Sequence, residues 1–297
     1  MNMPRSHADI IPGFEWTTVD ADGIRIRAAF GGRGPALLLL HGHPQTHLTW
    51  HKVAPALAER FTVVATDLRG YGDSDKPDGG VGHVNYSKRA MAMDQVNVMR
   101  QLGHDCFNVI AHDRGARVAH RMALDHANMV KKLVLIDIAP TLTMYERTNM
   151  EFARRYFWWF FLIQAYPLPE KLIEADPDFF LEKHIAGQIK IPDSVDHRVM
   201  QEYRRCYRNP ATRHAICEDY RAAASIDLVH DREDFDNRIQ APLMALWGKR
   251  GTVGALYDVL ETWREKATNV SGYPIDCGHS PQEEAPEALL EALGAFL

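Results

Sequence analysis

The chain has 297 residues, 46% hydrophobic and 25% charged, enough for one large α/β domain or a core carrying a sizeable insertion. That composition is ordinary for a folded globular protein and excludes a low-complexity or fibrous chain. A formal net charge of −5 offers no basic field for nucleic acid, so an anionic ligand has to be held by a local site.

In chain order, residues 14–30 read as a β-hairpin: Trp16-Thr-Thr-Val19, a turn at Asp20 to Gly23, then alternating Ile24-Arg-Ile-Arg27. The block Ala36-Leu-Leu-Leu-Leu40 ends at His41-Gly42, a fully buried strand running into a loop. A helical stretch is expected over 50–60 and a strand over 61–65, followed by the Gly-rich loop Asp67-Leu-Arg-Gly-Tyr-Gly. Ser87 can cap a helix that runs to Gln101, and Gly103 closes it. Then come a strand through Val109, a sharp turn, a helix over 114–126 and a buried strand over 132–137. After Pro140 the pattern turns helical, aromatic and Pro-punctuated. Buried strand character resumes at Pro242-Leu-Met-Ala-Leu-Trp247-Gly248, and a last helix spans 286–297.

Alternation of this kind implies an α/β fold, with a mostly parallel sheet covered on both faces. The expected division is a core over 1–140 and 229–297 with a helical cap over 141–228. Ligands bind beyond the carboxyl ends of such strands, here between core and cap. The four cysteines are scattered without a C-x-x-C pair, the pattern of a reduced, cytoplasmic protein. The first seven residues lack an apolar h-region, so no signal peptide is expected. The longest apolar run, 157–163, is far below the roughly 20 residues that span a bilayer, so no membrane association is expected.

The most informative run is Val109-Ile-Ala-His-Asp113-Arg-Gly-Ala-Arg117. A carboxylate stands where serine hydrolases carry a hydroxyl, and Gly115 lets the chain turn into a helix: a nucleophile elbow with Asp113 replacing Ser. A helix N-cap would account for Asp113 but not for its strand-to-elbow context. Asp137 ends the next strand, and His279 lies in Gly278-His279-Ser280-Pro281. Nucleophile, acid, histidine is the order in α/β-hydrolases, and a base oriented by a second carboxylate follows triad logic. Alone, His279 reads equally well as a surface-turn residue; the elbow and Asp137 make it the base.

A carboxylate is already ionised, and a helix N-terminus favours that state. Asp113 can therefore attack a saturated carbon in line, forming an ester that His279-activated water hydrolyses. The loop His41-Gly-His-Pro44 lies where the oxyanion is held, with the backbone N–H groups of His43 and Arg114 as donors. His43, His47 and His51 recur every four residues and raise a zinc reading. Pro44 and the loop composition oppose the helix that reading needs, and no metal is expected. One arginine beside Asp113 could be a structural salt bridge; two, Arg114 and Arg117, suit the carboxylate of a small anionic substrate. Tyr156-Phe-Trp-Trp-Phe-Phe161 is mostly packing, yet Trp158, Trp159 and Tyr220 carry N–H or O–H donors suited to a leaving halide.

Through His41-Gly-His-Pro-Gln-Thr-His, Asp67-Leu-Arg-Gly-Tyr-Gly, His112-Asp-Arg-Gly-Ala-Arg-Val, Cys217-Glu-Asp-Tyr-Arg-Ala and Gly278-His279 with Glu-Glu-Ala-Pro, the chain resembles the fluoroacetate (haloacetate) dehalogenases of the α/β-hydrolase superfamily. The resemblance runs nearly end to end. It implies an α/β-hydrolase fold with an inserted helical cap, Asp113 as nucleophile, His279 as base and Asp137 as its partner. It further implies Arg114 and Arg117 on the substrate carboxylate, Trp159 and Tyr220 on the halide, no cofactor or metal, and a homodimer, as in many members.

Four positions depart from the family pattern. Trp158 stands for a usual His, His43 for a Phe, Gln188 for a cap Trp and Ser280 for an aromatic residue. The expected reaction converts haloacetate, or another small 2-haloacid, to the 2-hydroxyacid; which halide is preferred stays open. An epoxide hydrolase shares the Asp–His–Asp machinery but needs paired tyrosines, for which Tyr220 with Tyr145 or Tyr156 are candidates, and leaves the arginine pair idle. A non-catalytic sensor of organic acids is the alternative outside enzymes, and the intact triad speaks against it.

Overall fold

Strands β1 (Glu15–Asp20) and β2 (Arg25–Gly31) form the expected hairpin, closed by a hydrogen bond from the Ala21 N–H to the Ile24 carbonyl at 2.7 Å. They begin an eight-stranded sheet completed by β3 (Ala36–Leu40), β4 (Thr62–Thr66), β5 (Phe107–His112), β6 (Val130–Ile136), β7 (Leu243–Gly248) and β8 (Val270–Ile275). The computed structural model describes residues 10–297, so the expectation about the first seven residues lies outside it. The strand order is β1-β2-β4-β3-β5-β6-β7-β8. β2 pairs antiparallel with β4, and every later pairing is parallel.

Every residue of β3 and β5 is buried, because helices cover both faces and the strands read as unbroken apolar runs. The four leucines of β3 are fully buried, a contribution of roughly 1.5–3 kcal/mol each. One crossover helix, Lys88–Gln101, starts where Ser87 Oγ accepts from the Ala90 N–H at 3.2 Å. Another, Asp113–Asp125, follows β5 directly.

The expected helix over 50–60 is shorter and broken. A 3₁₀ turn, His47–Trp50, is capped by Thr46, and a separate helix covers only Ala54–Ala58. Pro55 sits in the first turn of that helix, the position where a missing N–H does no harm.

Between β6 and β7 the described chain forms no strand, only helices from Thr141–Glu146 to Ile226–Glu233. The core resumes with β7, which pairs with β6 and lies two strands from β5. Among the described residues no helix is long and apolar enough to cross a membrane.

Candidate active site

The chain leaves β5 at His112 and turns at Asp113 with φ at +45°, a strained conformation for a residue with a Cβ. Two glycines allow the close approach that holds it there. A Cβ on Gly115 would lie 2.4 Å from the His41 carbonyl oxygen, and one on Gly42 would lie 2.5 Å from Asp113 Cβ. The loop after β3 is thus pressed onto the elbow, and the His43 backbone N–H donates to Asp113 Oδ1 at 3.0 Å. Burial raises the pKa of Asp113, but its interactions with the His279 and His112 imidazoles and the Arg117 and Arg114 guanidiniums outweigh it and hold the carboxyl well below the usual carboxylate range.

Asp137 follows β6, also at positive φ (+52°). It accepts from the Gly248 N–H at 2.9 Å and from His279 Nδ1 at 2.5 Å. That second bond assigns the imidazole its tautomer, with Nδ1–H as donor and the Nε2 lone pair free. Nε2 lies 3.9 Å from Asp113 Oδ2, too far for a hydrogen bond but close enough to face the same reacting centre. Burial lowers the His279 pKa; the Asp137 hydrogen bond and the charges of Asp137 and Asp113 outweigh it, and the net shift is upward. The His279 carbonyl in turn accepts from His112 Nε2 at 2.8 Å.

The two arginines do not play equal parts. Arg114 is fully buried and bonded to Asp219: Nε to Oδ2 at 2.9 Å, Nη2 to Oδ1 at 2.8 Å and Nη2 to the backbone carbonyl at 2.8 Å. Lys88 and the Tyr71 hydroxyl converge on the same carboxylate. The structural salt bridge, one of the two readings of an arginine here, therefore describes most of Arg114. Only its Nη1 is buried without a partner. Arg117 has no carboxylate bonded to it. Its Nη1 donates to the Ala139 carbonyl (3.2 Å) and Thr141 Oγ1 (3.0 Å), while Nε is buried and unpartnered. One unsatisfied nitrogen on each guanidinium, both acting on Asp113, is a costly arrangement unless an anion completes it. Sequence reasoning missed Asp219, although it lies inside a quoted motif; a lone acidic residue next to Tyr220 was its only signal.

A family model described as the alpha/beta hydrolase fold matches residues 35–286. Over 286 residues the chain is 43% identical to a fluoroacetate dehalogenase from Burkholderia sp., spanning 96% of this chain and 94% of that protein. The chain belongs to the haloacetate dehalogenase family of α/β-hydrolases. It is also 32% identical to a soluble epoxide hydrolase from Corynebacterium sp. (strain C12), spanning 93% of this chain and 94% of that protein. A crystal structure from Salmonella enterica, provisionally named an acyltransferase, superposes with a TM-score of 0.96 at 56% identity and covers 97% of this chain and 96% of that one.

Within this family member, a cavity of about 390 Å³ opens between the helical insertion and the core. Its wall includes His279 and Asp137 but not Asp113, which is 9% exposed. Trp158 faces this cavity and packs against Tyr156 and His184. Trp159 lies behind it, under the Arg117 guanidinium (4.8 Å) and edge-on to Tyr220 (6.4 Å). Tyr220 carries the Arg114 guanidinium on its face at 4.1 Å and meets the His43 ring at 5.5 Å. Arg154, Arg155, Lys183 and Lys190 also line the cavity; the single carboxylate in its wall is Asp137. Arg154 and Arg155 are paired with Glu151, so the local positive charge open to an anion here is that of Lys183 and Lys190.

The histidines of the zinc reading do not converge. His47 is bonded to Asp67, His51 to the Leu48 carbonyl, and His43 points among aromatic rings. No cluster of three or more metal-binding side chains occurs among the described residues. Burial pushes the His43 pKa down to about 3, so its imidazole is neutral. His184, not singled out from sequence, is a buried cavity residue whose ring centroid lies 4.7 Å from that of His43.

Proposed function

We propose that the protein is a hydrolytic dehalogenase that converts haloacetate, or another small 2-haloacid, to the 2-hydroxyacid and halide. The observation that carries this reading is an ionised, strained Asp113 beside two guanidiniums, each with one buried nitrogen lacking an acceptor. A carboxylate ligand satisfies Arg117 Nε and Arg114 Nη1 together, which brings the adjacent carbon to Asp113. Oδ1 is engaged by the His43 N–H, leaving Oδ2 as the attacking atom. The Oδ2–carbon bond forms as the carbon–halogen bond breaks, and the halide departs with the bonding pair toward Trp158, Trp159 and Tyr220.

His279 Nε2 then takes a proton from water, whose oxygen attacks Asp113 Cγ. Negative charge develops on Oδ1, where the N–H groups of His43 and Arg114 stabilise it. Collapse returns the proton to the departing 2-hydroxyacid and frees the carboxylate. Ester formation also removes the Asp113 charge, one cause of the raised His279 pKa. More of the imidazole is thereby unprotonated at the step that needs a base. No cofactor or metal takes part in these steps.

The epoxide hydrolase reading draws on Tyr156 and Tyr220, whose hydroxyls both lie in the field of Asp113. It gives the unsatisfied arginines nothing to bind, so the haloacid is favoured. Acyl transfer is disfavoured because an acyl group on Asp113 is a mixed anhydride, whereas an alkyl group is an isolable ester. The sensor reading leaves the His279–Asp137 pair without purpose. Halide release from fluoro-, chloro- and bromoacetate, run beside a small epoxide panel, tests the proposal: release from at least one haloacetate is expected, and release from none overturns it. A reduced cytoplasmic location and a homodimer form part of the same proposal.

A further inference from the structure

His184 lies on the helix Pro177–Gln188, 7% exposed, and its side chain enters the cavity that reaches His279. One helical turn on, the Gln188 amide nitrogen is 2.7 Å from His184 Nε2. An amide nitrogen only donates, so Nε2 is the acceptor and the proton resides on Nδ1. Nδ1 is buried and has no acceptor in the protein. Both nitrogens of the neighbouring His43 ring are likewise buried and unpartnered. Burial keeps both rings neutral. His184 lies in the field of Asp113 and His279.

A haloacetate has two hydrogen-bond-accepting ends, and the arginines take the carboxylate. We propose that His184, held as its Nδ1–H tautomer by Gln188, donates a hydrogen bond to the departing halide, with His43 as a second imidazole donor at the same end. This rests on the haloacid reading above. His184 gives a hydrogen bond and not a proton: the bonding pair leaves with the halide, and the imidazole is unchanged after turnover. Gln188 acts through His184 and is a positioning residue. The two therefore determine leaving-group preference, because fluoride, small and strongly hydrated, depends most on a direct donor.

The test is a leaving-group series on the full chain. His184→Phe keeps the ring packing against Trp158 and Phe180 but removes the N–H. Losing one such donor slows turnover about 100-fold, and that loss is expected for fluoroacetate, against less than about 3-fold for bromoacetate. His184→Gln, which retains an N–H, should recover much of the fluoroacetate rate. Gln188→Leu should reproduce a smaller part of the selectivity change. Equal losses across the halides, or none, overturn the proposal. Chloride binding, read by quenching of tryptophan fluorescence, is independent of turnover and should weaken about 10-fold in His184→Phe; an unchanged chloride affinity also overturns it. If the wild-type protein releases no halide at all, the haloacid reading fails, and the chloride measurement still decides the role of His184.

Discussion

Replacing Asp219 with Asn keeps the side-chain shape but strands the buried Arg114 and takes one of two carboxylates from Lys88. In the native protein this carboxylate, itself fully buried, receives two side-chain hydrogen bonds from Arg114, one from Tyr71 and an ion pair from Lys88. Lys88 keeps Asp227 at 3.5 Å, whereas Arg114 keeps no carboxylate. Removing one partner of a buried pair costs about 3–5 kcal/mol, and Asp219→Asn should lose that much in urea or guanidinium unfolding. The doubly apolar variant Asp219→Leu/Arg114→Met should regain much of the stability while losing haloacid binding, because both ends of the buried pair go together. Burial raises the Asp219 pKa, but Arg114 and Lys88 bring it well below the ordinary carboxylate value. Its stabilisation is thus fully present above the unfolded pKa of about 3.9 and is lost as pH falls through the lower folded value. The gap between wild type and variant should be flat through neutral pH and close only in strong acid. A variant within about 1 kcal/mol of wild type at pH 7, below the range for breaking a buried pair, refutes the idea that Asp219 holds Arg114 in place.

Arg117→Gln removes the guanidinium that lacks a bonded carboxylate. A charge-assisted hydrogen bond of about 1.5–3 kcal/mol implies a KM for haloacetate about 10- to 150-fold higher; an equal rise for the neutral haloacetamide contradicts the carboxylate role. Alkylation needs ionised Asp113, while ester hydrolysis needs unprotonated His279, so lowering the pH should reduce kcat and leave a burst of halide release intact. Because the ester lacks the Asp113 charge, the acid limb of kcat should lie below the His279 pKa that NMR reports for the free protein; a limb at or above that value contradicts the proposed order of steps. The cations lining the cavity should make kcat/KM for haloacetate fall with ionic strength, and Lys183→Gln with Lys190→Gln should flatten that dependence; an unchanged slope removes them from substrate capture.

The elbow and the order Asp113, Asp137, His279 were legible because Asp113 and Asp137 directly follow buried strand ends, marked locally by apolar runs, while His279 lies in a Gly-His-Ser-Pro loop beyond the exposed strand β8. The sheet was legible for the same reason. The division of labour between the arginines was not, since Arg114 and Asp219 are separated by 105 residues and meet only through the tertiary fold. His184 is one imidazole on a helix that shows its role only beside Gln188, His43 and Trp158. The identity of Trp158 was visible in the string, but the face it presents to the cavity depends on how the short helix Phe157–Leu162 packs. The helix expected over 50–60 begins only at Ala54, because Pro55 is tolerated in a first turn but not in the interior that a start at 50 requires.

The central claim is that Asp113 becomes an ester whose hydrolysis places a water oxygen in the enzyme. A single turnover of haloacetate in heavy-oxygen water, with enzyme in excess, followed by mass spectrometry of the peptide containing Asp113, tests it directly. The proposed mechanism predicts heavy oxygen in the Asp113 carboxylate and ordinary oxygen in the first-turnover product. Heavy oxygen in the product with an unlabelled peptide would mean that water attacks the substrate carbon directly, and would contradict it.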